Sequence, residues 1–227
     1  MTGFNSLLLQ DSMNMAGAEI VLFHDYAMLL MSLILMGFVV FSLMVLKTGS
    51  WFVKGYGSSE MLEISWTMIP GFLLYSLGVP SLFLMYYIEG NTKYDLTLKV
   101  TGHQWYWSYE VSEYGGEMSF DSYMINDEDL QVGGYRLLDV DNSVVLPYLS
   151  KIRVLVTSGD VLHAWALPSM GMKIDAIPGR LNFMNIMSFR PSSVYGQCSE
   201  ICGVNHSFMP IHIEFVGWEG FLNANVA

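Results

Sequence analysis

Gly196-Gln-Cys-Ser-Glu-Ile-Cys-Gly-Val-Asn-His-Ser-Phe-Met209 holds both cysteines of the chain, Cys198 and Cys202, with His206 and Met209 close behind. Two thiols, an imidazole and a thioether form a soft ligand set, which suits copper, zinc or iron–sulfur iron and not magnesium or calcium. The methionine guides the choice among them. Structural zinc sites use Cys and His alone, whereas copper electron-transfer sites often carry a weak axial Met. A mononuclear blue-copper site needs one Cys and two His, so the second Cys is left over, and two thiolates in one loop would suit two coppers sharing them. A Cys198–Cys202 disulfide across a helical turn and a structural zinc site are the alternatives. The disulfide leaves His206 and Met209 without a role.

Outward from this loop, the residues on both sides read as β-structure. Leu96, Leu98 and Val100 alternate with polar residues, and Trp105 to Val111 is aromatic and β-prone. Further strands are expected at Arg136–Val140, Ser143–Leu146, Ile152–Thr157, Val161–Leu167, Leu181–Arg190 and Ile211–Val216. Gly133-Gly134, Asp141-Asn142, Ser158-Gly159 and Pro178-Gly179 punctuate them. Many short strands without an amphipathic helix predict an antiparallel β-sandwich or barrel. The Cys loop then lies at one end of a rigid scaffold, a favourable place for a metal. His163, in Asp160-Val-Leu-His-Ala-Trp165, is the candidate second imidazole. A lone histidine in an apolar strand is more often structural, and the incomplete ligand set of the loop is what raises it.

The N-terminal part has a different character. Ala27 to Leu46 is free of charge and apolar all round, and at about 20 residues it is long enough to cross a bilayer. Ile64 to Ile88 is also free of charge and contains Pro70 and Pro80, which membrane helices tolerate beside partner helices. The chain therefore divides into an N-terminal segment (1–26), a two-helix transmembrane hairpin (27–88) and an outer domain (89–227). Lys47 and Lys54 fall in the connecting loop. The positive-inside rule puts that loop on the cytoplasmic or matrix side and the outer domain on the other side. About the first 20 residues lack Lys and Arg, so nothing there reads as a targeting peptide. The 52% hydrophobic and 14% charged composition agrees with a membrane-inserted portion. A net charge of −11 argues against nucleic acid and for a basic partner.

The order of hairpin, aromatic segment, upstream histidine and Cys loop resembles subunit II of cytochrome c oxidase. The resemblance runs from about His24 to Phe215. Its motifs are Thr101-Gly-His-Gln-Trp-Tyr-Trp-Ser-Tyr-Glu110, Phe120-Asp-Ser-Tyr-Met124, Asp175-Ala-Ile-Pro-Gly-Arg-Leu181 and Gly196 to Pro210. It implies a cupredoxin-like outer domain with a dinuclear copper centre. Cys198 and Cys202 would bridge the coppers, and His163 and His206 would cap one each. Met209 and the backbone carbonyl of Glu200 would be weak ligands. The Glu200 side chain would bind a magnesium shared with subunit I, a hard-oxygen role.

The same resemblance implies that electrons arrive from cytochrome c at Trp105 and leave for haem in subunit I, beside other oxidase subunits and lipid. It makes Glu63 an acid near a proton path, although the helix dipole accounts equally for an acid there. It sets both termini and the copper domain on the intermembrane-space side of the mitochondrial inner membrane, with the loop in the matrix. Glu110, Asp121, Asp141 and Asp160 are the candidate docking acids, since the loop Glu113-Tyr-Gly-Gly-Glu117 is not acidic throughout. A quinol oxidase subunit would lack the two cysteines, and a nitrous oxide reductase would lack the hairpin. A membrane-anchored copper-delivery protein or a zinc-binding anchor is the remaining alternative.

Overall fold

The computed structural model describes residues 9–48, 59–90, 93–113 and 116–225. Lys54 and part of the Glu113–Glu117 loop lie outside the described residues. The chain forms two compact units. One is Glu19–Tyr87, and the other combines the residues up to Ala18 with the chain from Ile88 onward.

The first unit is helical. Helix α1 spans Met15–Thr48 and α2 spans Glu60–Glu89, and both are long and apolar enough to cross a membrane. Large apolar side chains face outward all along them, with Phe38 at 66% exposure and Phe83 at 75%. Such exposure is costly in water and favourable in lipid. Hydroxyls do not stay unsatisfied: Ser32, Ser65 and Thr67 donate to the carbonyls of Met28, Met61 and Glu63 within their own helices.

Helix α1 starts twelve positions ahead of the charge-free run at Ala27, at Met15. The cause is a cap: the Asn14 side-chain oxygen accepts from the Gly17 amide at 2.7 Å. The residues just before the helix join the outer domain. Met13 N–H donates to Ser169 O at 2.9 Å, and Met13 O accepts from Phe189 N–H at 3.1 Å.

The outer domain is a β-sandwich. Its strands are β1 (Leu96–His103), β2 (Tyr106–Glu113), β3 (Gly116–Ser122), β4 (Val144–Pro147), β5 (Ile152–Ser158), β6 (His163–Leu167), β7 (Met172–Ala176), β8 (Asn182–Ile186), β9 (Ser192–Cys198) and β10 (Pro210–Val216), followed by helix α3 (Trp218–Asn225). The two sheets run β3-β2-β1-β5-β8 and β4-β10-β9-β6-β7. Alternation drives the assembly, as Leu96, Leu98, Val100, Ile152, Val154 and Val156 all point inward and are buried. Each such side chain contributes about 1.5–3 kcal/mol on burial. Trp107, Trp165, Tyr109 and Phe215 fill the centre, and Trp165 Nε1–H reaches the Tyr109 hydroxyl at 3.4 Å.

Three details depart from the sequence reading. The sheets are mixed, since β1 pairs β5 and β4 pairs β10 in parallel. Residues 136–140 form no strand: Tyr135 O accepts from the amides of Leu138 and Asp139, Leu137 sits at φ 66°, and only Val140 bridges, to Met124. Strands β3, β7 and β9 were not among the expected segments, and α3 adds a short helix.

Candidate metal centre

Strand β9 carries the first cysteine. Its Val194, Gly196 and Cys198 point inward, and Cys198 stands opposite Trp165 of β6. The Ser199 amide then bonds Ala164 O at 3.0 Å, and the Cys198 amide bonds Met209 O at 3.3 Å. The loop is thereby tied to β6 at one end and to the start of β10 at the other. Within it, a short 3-10 turn over His206–Phe208 aims the second histidine back at the cysteines.

The donor atoms converge. Cys198 Sγ and Cys202 Sγ are 4.0 Å apart. His163 Nδ1 is 3.8 Å from Cys198 Sγ, and His206 Nδ1 is 3.5 Å from Cys202 Sγ. Met209 Sδ lies 3.5 Å from Cys202 Sγ, and the Glu200 carbonyl oxygen 3.3 Å from Cys198 Sγ. All six positions singled out in the sequence come together. Cys198, Cys202, His163 and Met209 are buried. Both cysteines are free, and a 4.0 Å gap is about twice a disulfide bond length. The thioether beside the thiols fits copper and is foreign to zinc.

The surroundings prepare the donors. His163 Nε2 lies 2.9 Å from Asp160 Oδ1, which leaves Nδ1 turned to the sulfurs. A carboxylate behind a ligating histidine fixes its tautomer and raises its basicity. Burial lowers the His163 pKa, but the Cys198 and Asp160 contacts outweigh it and hold the ring above its ordinary value. Burial also opposes charge on Asp160, yet its bonds to His163 and to the Val161 and Gln104 amides keep it below the usual carboxylate range. Burial raises both thiols. The His163 ring and neighbouring amides bring Cys198 down to about 7, while Cys202, beside that thiolate, is pushed up to about 12. A metal that takes both sulfurs therefore displaces a proton from Cys202.

Other residues define the cage although the sequence reading gave them no role in it. A Cβ on Gly102 would stand 2.9 Å from the His163 ring and 3.1 Å from Trp107. The glycine is what lets β1 approach the histidine, and an isolated glycine inside a strand pattern is the clue that could have shown it. Trp107 donates from Nε1 to Met209 O at 3.3 Å, and Gln104 Nε2 donates to Cys202 O at 2.7 Å. Trp105, next in the chain, is half-buried. A Cβ on Gly203 would stand 3.1 Å from its ring, so the indole lies directly against the Cys loop.

The candidate docking acids occupy different settings. Glu110 is neutralised by Lys99 at 2.7 Å. Asp121 holds the Ser108 hydroxyl, and Asp141 accepts from the Tyr123 and Asn142 amides. Asp160 is exposed at the surface and at the same time places Oδ1 against His163 Nε2 and accepts from the Gln104 amide at Oδ2. Glu63 sits in the first turn of α2, where the dipole favours it.

Two family models match the chain. "Cytochrome C oxidase subunit II, periplasmic domain" covers residues 96–216, and "Cytochrome C oxidase subunit II, transmembrane domain" covers residues 3–84. The chain belongs to the cytochrome c oxidase subunit II family. Its relatives agree. The cytochrome c oxidase subunit 2 of Periplaneta americana is 45% identical over 98% of this chain and 97% of its own length. That of Drosophila melanogaster is 46% identical over 95% and 94%. Among solved structures, the periplasmic domain of subunit II of cytochrome oxidase of Bradyrhizobium japonicum matches with a TM-score of 0.54 and 50% identity, covering 59% of this chain and 92% of that one. A mixed-disulfide complex of a thioredoxin-like protein with such a subunit II matches at TM-score 0.51 and 48% identity, over 59% and 90%. As a member of the family, the chain is a membrane-bound oxidase subunit whose cupredoxin-like domain carries a Cys/His cluster suited to copper.

Asp160→Asn tests the carboxylate behind His163. The substitution keeps the shape and removes the charge, and copper affinity should fall by roughly 10–100-fold, the usual cost of losing such a partner. Chelator competition on the purified oxidase measures this, and an unchanged affinity would leave Asp160 without a role in orienting the ring.

Proposed function

We propose that this subunit receives electrons from cytochrome c at a dinuclear copper centre and delivers them to haem in subunit I of the oxidase. The observation that carries the reading is the doubled donor set: two sulfurs 4.0 Å apart, each with an imidazole nitrogen within 3.8 Å. Cys198 and Cys202 would hold both metal ions, His163 and His206 one each, with Met209 Sδ and the Glu200 carbonyl completing the set. The bound copper pair supplies a one-electron couple. The protein's own contribution is rigidity. Backbone bonds from β6 and β10 fix the loop, and burial excludes water, so the donors need little movement between oxidation states.

The Cys loop also supports a seat on another subunit. Ile201, Val204 and Phe208 are exposed at 79%, 88% and 42% around Glu200, an apolar surface that a neighbouring protein would cover. Among the described residues the Glu200 carboxylate makes no hydrogen bond or ion pair, and a hard oxygen ligand of this kind fits magnesium. We assign the outer domain and N-terminal flank to the intermembrane-space side of the mitochondrial inner membrane, with Lys47, in the last turn of α1, toward the matrix. Glu63 remains a candidate for the proton path in subunit I.

For the partner, Asp and Glu outnumber Lys and Arg about two to one after Glu89. Beside Trp105, the ring of Tyr106 stacks on Tyr123 at 4.5 Å, and Asp121 and Asp141 flank Tyr123. A basic cytochrome c would be steered to this surface. Stopped-flow reduction should slow as salt rises, because exposed charges are screened over ~8 Å at physiological ionic strength. Asp121→Asn should slow the second-order rate at low salt. Trp105→Ala should leave binding intact and slow the transfer within the complex. A salt-independent rate would refute steering, and normal transfer in the Trp105 variant would move the point of electron arrival.

A further inference from the structure

Away from the copper loop, the outer face of β5 and β8 carries an arginine with no acid. Arg153 is half-buried, and its Nε–H is buried with no hydrogen-bond partner. Among the described residues it forms no ion pair. Its guanidinium carbon lies 5.5 Å from the ring centre of Tyr94 and 5.2 Å from that of Phe183. The register places Asn185 of β8 directly opposite it, and Asn185 Oδ1 is also buried without a partner. A buried donor on a permanent cation and a buried acceptor thus sit on register-paired residues of β5 and β8, and neither is satisfied. Orphans of this kind are uncommon and costly in folded proteins.

The position of the pair in the chain gives the chemistry. Asn185 Nδ2 donates to Gly90 O at 3.0 Å, and Gly90 directly follows α2, which ends at Glu89. A helix free of charge from Ile64 to Ile88 emerges from the hydrocarbon at the headgroup layer. Exposed Lys93 and Lys151 add positive charge at the same end of β1 and β5. The acid between them, Asp95, already accepts from the Lys151 amide at 2.8 Å. Guanidinium forks match phosphate, and aromatic rings hold the guanidinium plane while shielding it from water.

We propose that Arg153 and Asn185 bind the headgroup of a membrane phospholipid: the phosphate on Arg153, and a hydroxyl or ammonium donor of the same headgroup on Asn185 Oδ1. The proposal rests on α2 spanning the membrane and not on the copper assignment. A carboxylate from a neighbouring subunit would satisfy the arginine but not the asparagine acceptor, so the lipid is favoured.

The test uses the purified, delipidated full-length chain in detergent, with native mass spectrometry reading bound lipid. The probes are phosphatidylglycerol (phosphate and donor), phosphatidylcholine (phosphate without a donor) and inorganic phosphate. Wild type should retain one phosphatidylglycerol about tenfold more tightly than Arg153→Gln, the scale of a lost charge-assisted hydrogen bond, and should bind phosphatidylcholine more weakly. Phe183→Leu should weaken retention a few-fold, and it serves as the readout if Arg153→Gln fails to fold. A circular dichroism spectrum and thermal melt unchanged from wild type show that a variant is folded. Equal retention in wild type and the folded variants would overturn the proposal. Inorganic phosphate binding as tightly as phosphatidylglycerol would make this a small-anion site. Loss of neighbouring subunits from the assembled oxidase, with lipid retention unchanged, would make Arg153 a protein contact instead.

Discussion

Cys198→Ser or Cys202→Ser in the assembled oxidase is expected to abolish turnover with cytochrome c. Serine nearly preserves the shape but replaces a soft, ionisable sulfur with a hard hydroxyl that does not deprotonate near neutral pH. Each sulfur contacts the other and an imidazole nitrogen, so no donor nearby substitutes for it. The loss should exceed the roughly 10–100-fold that removal of an outer partner costs. Steady-state oxidation of cytochrome c measures it, with circular dichroism to show that the sandwich is intact. A folded serine variant keeping more than a tenth of the activity would mean that this sulfur is dispensable to electron transfer.

Gly196→Ala should damage the scaffold itself. A Cβ at this position would lie 1.9 Å from Ala166 O and 3.0 Å from the Ala166 carbonyl carbon, both backbone atoms of β6. Side-chain repacking cannot relieve such a clash, so β9 must move away from β6. That separates Cys198 from Trp165, its register partner, and draws the first sulfur away from His163. The expected cost is about 3 kcal/mol, the upper part of the range for overpacked interiors, or roughly 10 °C in the melting temperature of a domain this size. Copper content should fall in parallel. A thermal melt unchanged from wild type would show that the strands separate without penalty.

The ligands in the Cys loop were legible because their chemistry is unusual and their spacing short. His163 was legible only as an unfilled place in the set, since nothing around it in sequence marks a ligand. Its carboxylate partner carries no mark of that role: Asp160 looks like any loop acid until the Ser158-Gly159 turn brings it back onto the ring. The two membrane helices needed only length and lack of charge, but the start of α1 is set by the Asn14 cap, which a charge-free run does not mark. Strand β9, Ser-Ser-Val-Tyr-Gly-Gln-Cys, hides its alternation because glycine and cysteine fill the inward places that leucine or valine usually mark. Residues 136–140 have a strand's composition, yet the Tyr135 carbonyl draws them into a turn. Parallel pairing of β1 with β5 and β4 with β10 left no trace, since inward–outward alternation is the same in either direction.

Copper stoichiometry together with electron paramagnetic resonance of the copper-loaded chain, oxidised by one electron, tests the account most directly. Two coppers per chain and a hyperfine pattern from one unpaired electron shared over both nuclei is the predicted result. One copper per chain with the pattern of an isolated Cu(II) ion would contradict it.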